Sequence, residues 1–123
     1  MIFTITLPYP PSVNSIWRAS NGGVRLSEKG RNYYAVAVRL IQARMLDTGF
    51  NGFGGQRIEL EVVLRPPDKR KRDIGNTLKV LEDCLTKAKV FDDDEQIDRL
   101  MIERDAIKPP NGLVSLAVMV REV

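Results

Sequence analysis

Ile58-Glu59-Leu60-Glu61-Val62-Val63-Leu64-Arg65-Pro66-Pro67 is the stretch that decides the fold. Ile58, Leu60, Val62 and Leu64 alternate with largely polar neighbours, the period-two pattern of a strand with one buried face. Pro66 and Pro67 end it, because proline cannot donate to a ladder. Downstream, Asp73 is placed to cap a helix from about Ile74 to Ala88, with Ile74, Leu78, Leu81 and Leu85 as its buried stripe. Residues near Ile97 to Ile107 read as a further strand, Pro109-Pro110-Asn111-Gly112 as a turn, and Val114, Leu116, Val118 and Val120 as the alternating core of a last strand.

Upstream, Phe3, Ile5 and Leu7 alternate with Thr4 and Thr6 in a first strand that Pro8, Pro10 and Pro11 stop. Asn21-Gly22-Gly23, between Trp17-Arg18 and Val24-Arg25-Leu26, signals a hairpin or loop. Ser27 is placed to cap a helix running to about Asp47, with Tyr34, Val38, Ile41 and Met45 as its apolar stripe. The order β–(hairpin)–α–β–α–β–β predicts an α+β (mixed α/β) fold: one domain over residues 1–123, with a sheet of about four main strands and two or three helices packed on it.

Composition narrows the chemistry. No apolar run reaches the roughly 18–20 residues that span a bilayer. The N-terminus lacks a basic start and a small-residue cleavage site, so it reads as strand rather than signal peptide. Cys84 is the single cysteine, so no internal disulfide forms and a cytoplasmic setting is expected. There is no histidine, which excludes a histidine triad, a His-ligated zinc site and an imidazole base. Carboxylates, lysine, hydroxyls or a hard metal ion remain.

The net charge of +3 conceals two blocks. Arg65 to Arg72 carries Arg65, Lys69, Arg70, Lys71 and Arg72 against Asp68 alone. Asp92 to Asp98 carries Asp92, Asp93, Asp94, Glu95 and Asp98 with no cation. A basic loop at a helix start suits phosphate, through counterion release and the free N–H groups of the first turn. Carboxylates nearby repel that phosphate unless a divalent cation lies between them. Mg²⁺ takes oxygen ligands from one or two carboxylates plus substrate, polarises phosphorus and activates water. The plainer reading is also open: a charge run is commonly a solvated loop, Asp73 only a cap, and Lys79 with Asp83 only an i,i+4 pair.

The chain also resembles the RusA family of Holliday junction resolvases over almost its whole length. Ile5-Thr6-Leu7-Pro8-Tyr9-Pro10-Pro11-Ser12-Val13-Asn14 looks like the family's first strand and proline-rich turn, and Ser27-Glu28-Lys29-Gly30 with Tyr33 or Tyr34 like the opening of its first helix. The most specific stretch is the basic run with Asp73, Asn76 and Lys79, followed by Asp83, Leu85-Thr86-Lys87-Ala88 and Asp93-Asp94-Glu95-Gln96-Ile97. The resemblance implies a homodimer that binds four-way junction DNA and makes paired Mg²⁺-dependent nicks, with Mn²⁺ able to replace Mg²⁺, and no membrane partner. It implies Asp73, Lys79 and Asp94 as catalytic residues, with Asp73, Asp94 and neighbouring Asp93 as metal ligands. Lys69, Arg70, Lys71, Arg72, Asn76 and Asn14 are the implied DNA contacts. Gly75 stands where the family has a second aspartate and offers no ligand. Tyr9, Trp17 and the strand edges are candidates for the dimer interface. Two other functions compete: a junction-binding protein with weak or no cleavage because of Gly75, and a small DNA-binding or regulatory protein without junction preference.

Overall fold

The computed structural model describes residues 1–122; Val123, the last residue of the expected domain, lies outside the described residues. In chain order the elements are β1 (Ile2–Pro8), α1 (Val13–Ile16), β2 (Trp17–Ser20), β3 (Gly23–Leu26), α2 (Glu28–Thr48), β4 (Ile58–Arg65), α3 (Ile74–Lys87), a 3₁₀ turn (Asp94–Gln96), β5 (Ile97–Arg104) and β6 (Leu113–Val120). The main sheet has the order β1-β6-β4-β5; β2 and β3 form a separate two-stranded sheet. β6 runs antiparallel to both β1 and β4, while β4 and β5 are parallel and need the α3 crossover between them. The fold is therefore the expected α+β arrangement.

The period-two pattern sorts the sheet's faces. Phe3, Leu7, Ile58, Leu60, Val62, Leu64, Val114, Leu116 and Val118 are buried, in one core with Tyr34, Ile41, Leu81, Leu85 and Phe91. Ser27 caps α2 by accepting from the Gly30 N–H, and Gly49 closes it in the left-handed conformation at φ 70°. Two stripes lie rotated from their expected positions. On α2, Tyr33 and Ala37 are buried and Val38 only partly so. On α3, Ile74 and Leu78 are partly buried, and Val80 and Cys84 join Leu81 and Leu85 in the interior. β5 stops at Arg104, short of the expected Ile107. Its ladder partner β4 reaches only Arg65 before Pro66, so residues beyond Arg104 have no strand to pair with. No helix among the described residues is long and apolar enough to cross a membrane.

Candidate DNA interface and acidic site

Both charged blocks are positioned by α3. The basic loop leads out of β4 into its start. There Asp68 takes the Arg72 guanidinium at 2.8 Å and the Arg70 backbone N–H at 3.0 Å. The Arg70 N–H, then Arg72, hold the Asp68 carboxyl below the usual carboxylate range. Arg72 also donates to the carbonyls of Asp68 and Arg70 and lies 5.6 Å from the centre of the Tyr9 ring. It is a brace for the loop. Lys69 and Lys71 are exposed and have no ion pair among the described residues.

Asp73 caps α3: its Oδ1 accepts the Gly75 N–H at 2.8 Å. Oδ2 has no hydrogen-bond partner among the described residues. Asp73 lines a small concavity with Tyr9, Asn14, Arg72 and Asn76. Asn14 from the N-terminal turn thus meets Arg72, Asp73 and Asn76 at the start of one helix. Gly75 lies beside them. A Cβ built there would stand 3.2 Å from Asp73 Oδ1, so a side chain at position 75 begins next to the Asp73 carboxylate.

The acidic block occupies a second concavity farther along α3, lined by Lys79, Asp83, Asp93 and Asp94 with Trp17 and Tyr34. Lys79 Nζ lies 3.5 Å from Asp94 Oδ2 and 3.8 Å from Asp83 Oδ1. Asp83, then Asp94, push the lysine pKa up. The Tyr34 hydroxyl donates to Asp83 Oδ2 at 3.1 Å. Burial, then the charge on Asp94, raises Glu82. Asp93 caps the 3₁₀ turn, and the Glu95 N–H it accepts holds its carboxyl low. Asp73 and Asp94 line different concavities, and no three metal-ligating side chains group together among the described residues.

Three residues that shape this site were not among the expected site residues. Gln96 is buried; its Oε1 accepts the Asp92 and Asp93 N–H groups, and its Nε2 donates to the Gly54 and Gln56 carbonyls, each at 2.7 Å. That clamp aims the acidic turn at α3. Its signal was the capping-box spacing from Asp93 to Gln96. Tyr34 and Asp83 meet across helices, which no local pattern announces.

The donor chemistry suits a hard divalent cation. Both ion-pair partners of Lys79 are carboxylates, and the lysine ammonium already sits between them as a stand-in positive charge. One or two carboxylates with the remaining positions left to water and substrate is how Mg²⁺ is commonly held.

Fold and site together describe a small α+β protein with a phosphate-suited loop at the start of α3 and a carboxylate cluster shared between α3 and the 3₁₀ turn. Residues 8–120 match the family model described as Endodeoxyribonuclease RusA. A protein named crossover junction endodeoxyribonuclease rusA, from Enterobacteria phage HK97, is 34% identical over 116 residues, 94% of this chain and 92% of the relative. The protein of that name from Escherichia coli strain K12 is 36% identical over 95 residues, 77% of this chain and 76% of the relative, and the one from Enterobacteria phage 82 matches to the same extent. The chain belongs to the RusA endodeoxyribonuclease family.

Proposed function

We propose that this protein is a structure-selective endodeoxyribonuclease that binds four-way DNA junctions and resolves them by paired, Mg²⁺-dependent nicks. The observation that carries the reading is the cluster that Lys79 and Asp83 of α3 form with Asp94 of the 3₁₀ turn, alongside the helix whose start bears the basic loop. The names of the relatives, crossover junction endodeoxyribonucleases, support the substrate.

Asp94 would hold the metal, with Asp93, whose Oδ1 is committed to the cap, and Asp73, through its unpartnered Oδ2, as the further candidate ligands. A bound Mg²⁺ supplies polarisation of the phosphorus centre and a more acidic water. Lys69, Arg70 and Lys71 bind backbone phosphates, and Arg72 fixes the loop that presents them. Asn14 and Asn76 orient the strand beside Asp73. Lys79, which pairs with Asp94 and Asp83, would steady the developing negative charge. A nicking gel on a four-way junction with and without Mg²⁺, and with linear duplex as competitor, tests the reading. No Mg²⁺-dependent nicks, or equal binding of duplex, would overturn it.

A second reading is favoured by Gly75: junction binding with weak cleavage, because position 75 lies beside Asp73 yet supplies no oxygen. The same gel separates them, since binding then persists while nicks are scarce.

Paired nicks on a two-fold substrate call for a symmetric dimer. The β5 edge supports this, since it pairs only with β4 and exposes Leu100 and Met101. Tyr9 is partly buried against the core and has less surface to offer. Leu100→Glu should convert a dimer to a monomer in light scattering; a parent that is itself monomeric with and without junction would remove the assignment.

A further inference from the structure

The hairpin of β2 and β3 carries a feature that the acidic site does not use. Its two-residue turn, Asn21-Gly22 with Gly22 at φ 86°, sets Arg18 directly opposite Arg25. Like charges facing each other across a strand pair are destabilising. Neither arginine has an acidic partner among the described residues. β2 is exposed along its whole length, so burial does not force the arrangement.

The two arginines line an open groove of about 740 Å³ between the hairpin and the start of α2. Lys29 and Arg31 extend the positive lining, and Glu28 is its one acid. Arg31 is fixed at the base by donating to the Leu26 carbonyl at 2.9 Å. The groove adjoins the site already described. Trp17 and Leu26 also wall the acidic concavity, and Asn14 also lines the concavity of Asp73. Lys29 is shared with the broad depression that holds Arg70, Lys71 and Arg72.

We propose that this hairpin groove is a second DNA contact, taking a backbone phosphate between Arg18 and Arg25 outside the acidic site. It rests on the reading of the protein as a DNA-junction enzyme and extends it. An anion between the guanidinium groups removes the cross-strand repulsion, so ligand and hairpin stabilise each other. The groove is far larger than one phosphate group and continues toward the basic loop, as a polynucleotide backbone requires. Trp17, the single tryptophan of the chain and 40% exposed, stands on the wall where the strand passes from groove to acidic site.

Trp17 makes the test direct. Its intrinsic fluorescence, titrated with an intact four-way junction in Ca²⁺ to prevent turnover, should change and saturate with binding. Arg18→Ala/Arg25→Ala should weaken junction binding at least about tenfold at moderate salt and lower the slope of log K against log[salt] by about 1.8, two phosphate contacts. Arg39→Ala/Arg44→Ala removes the same charge from the exposed face of α2 and should leave the slope near the parent's. In the absence of DNA, Arg25→Thr should raise the melting temperature at low salt, which also shows that the hairpin variants fold. Flat Trp17 fluorescence through a titration that a gel shift shows to be saturating would overturn the proposal, as would parental affinity and slope in the double variant. An equal fluorescence change with millimolar inorganic phosphate alone would overturn its DNA assignment. If the junction binds and Lys69→Ala/Lys71→Ala weakens it while the hairpin variant does not, the second contact fails and the junction-enzyme reading stands. No junction binding by the parent removes both.

Discussion

The basic loop and the acidic turn look alike as sequence, each a short run of one charge, and the fold treats them alike in one respect: it divides each into braces and free groups. In the loop, Arg72 is tied to Asp68, to two carbonyls and to the Tyr9 ring, whereas Lys69 and Lys71 reach solvent. In the turn, Asp93 caps the 3₁₀ helix and Glu95 and Asp98 grip Arg57, whereas Asp94 faces Lys79. They differ in what holds them. The loop is held by its own neighbours within residues 68–72, with the Arg104 guanidinium on the Arg72 carbonyl. The turn is held from a distance, by Gln96 reaching residues 54 and 56 and by Arg57. Charge count alone therefore overstates the groups free to act, and site-directed changes can separate the braces from the reagents.

Both ends depend on α3 as a fixed rod between them. Leu81 is fully buried in its middle. Leu81→Ala should cost about 2–5 kcal/mol in chemical denaturation, from lost burial and the cavity left behind. A shift well under about 1 kcal/mol would mean that α3 is not anchored where the two ends need it.

At the acidic end, Asp94→Asn should lower Mg²⁺-dependent nicking at least about a hundredfold, equivalent to about 2.7 kcal/mol of transition-state stabilisation. Junction affinity in Ca²⁺ should hold or rise, because a charge that repels phosphate is removed. Asp98→Asn, which changes a brace, should shift stability and leave the rate of cleavage within a few fold. Equal losses of rate from both would erase the distinction within the turn.

Position 75 tests whether the two ends act as one site. Gly75→Asp should raise Mg²⁺-dependent nicking more than about tenfold, or about 1.4 kcal/mol. The new Cβ stands 3.2 Å from Asp73 Oδ1, so the cap oxygen must move by a few tenths of an ångström and two carboxylates crowd together. Without metal the stability should therefore stay level or fall; the gain should appear only in a Mg²⁺ titration, with Asp94→Asn as the blank. A parent that already cuts at the variant's rate would place the metal away from position 75.

Much of this was legible in the chain. Alternation marked β1, β4 and β6, because each buries one face, and Ser27 and Asp73 marked both long helices through their capping chemistry. Helix faces were less legible: Val38 and Leu78 fit the spacing, but the sheet's position rotates burial toward Ala37 and Val80. The length of β5 depended on where β4 ends, a tertiary fact. Asp73, Asn14, Arg72 and Asn76 line one concavity, while Asp73 and Asp94 lie in separate concavities that spacing along the chain cannot distinguish. The opposed arginines of the hairpin needed the register of a two-residue turn rather than the mere presence of one.

The smallest effect belongs to the basic loop and divides it most finely. Lys69→Ala/Lys71→Ala removes two exposed charges that support nothing in the fold, so melting temperature should be unchanged. Junction binding should weaken, and the slope of log K against log[salt] should fall by about 1.8, because each lost phosphate contact removes about 0.9 from it. Arg72→Ala should show the reverse weighting. Its side chain is only 18% exposed and is held by Asp68 and two carbonyls, so its loss frees a carboxylate and two acceptors at once. That should cost about 1 kcal/mol of stability, the lower range for a hydrogen-bonded charge that solvent partly screens. The salt slope should change less than for the lysine pair, since the guanidinium already has an internal anion. The measurement is paired: thermal denaturation and a salt titration of junction binding for both variants. If the lysine variant loses stability and keeps its slope, or if Arg72→Ala carries the whole salt dependence, the roles of brace and phosphate contact are exchanged and the loop reads its substrate through the arginine.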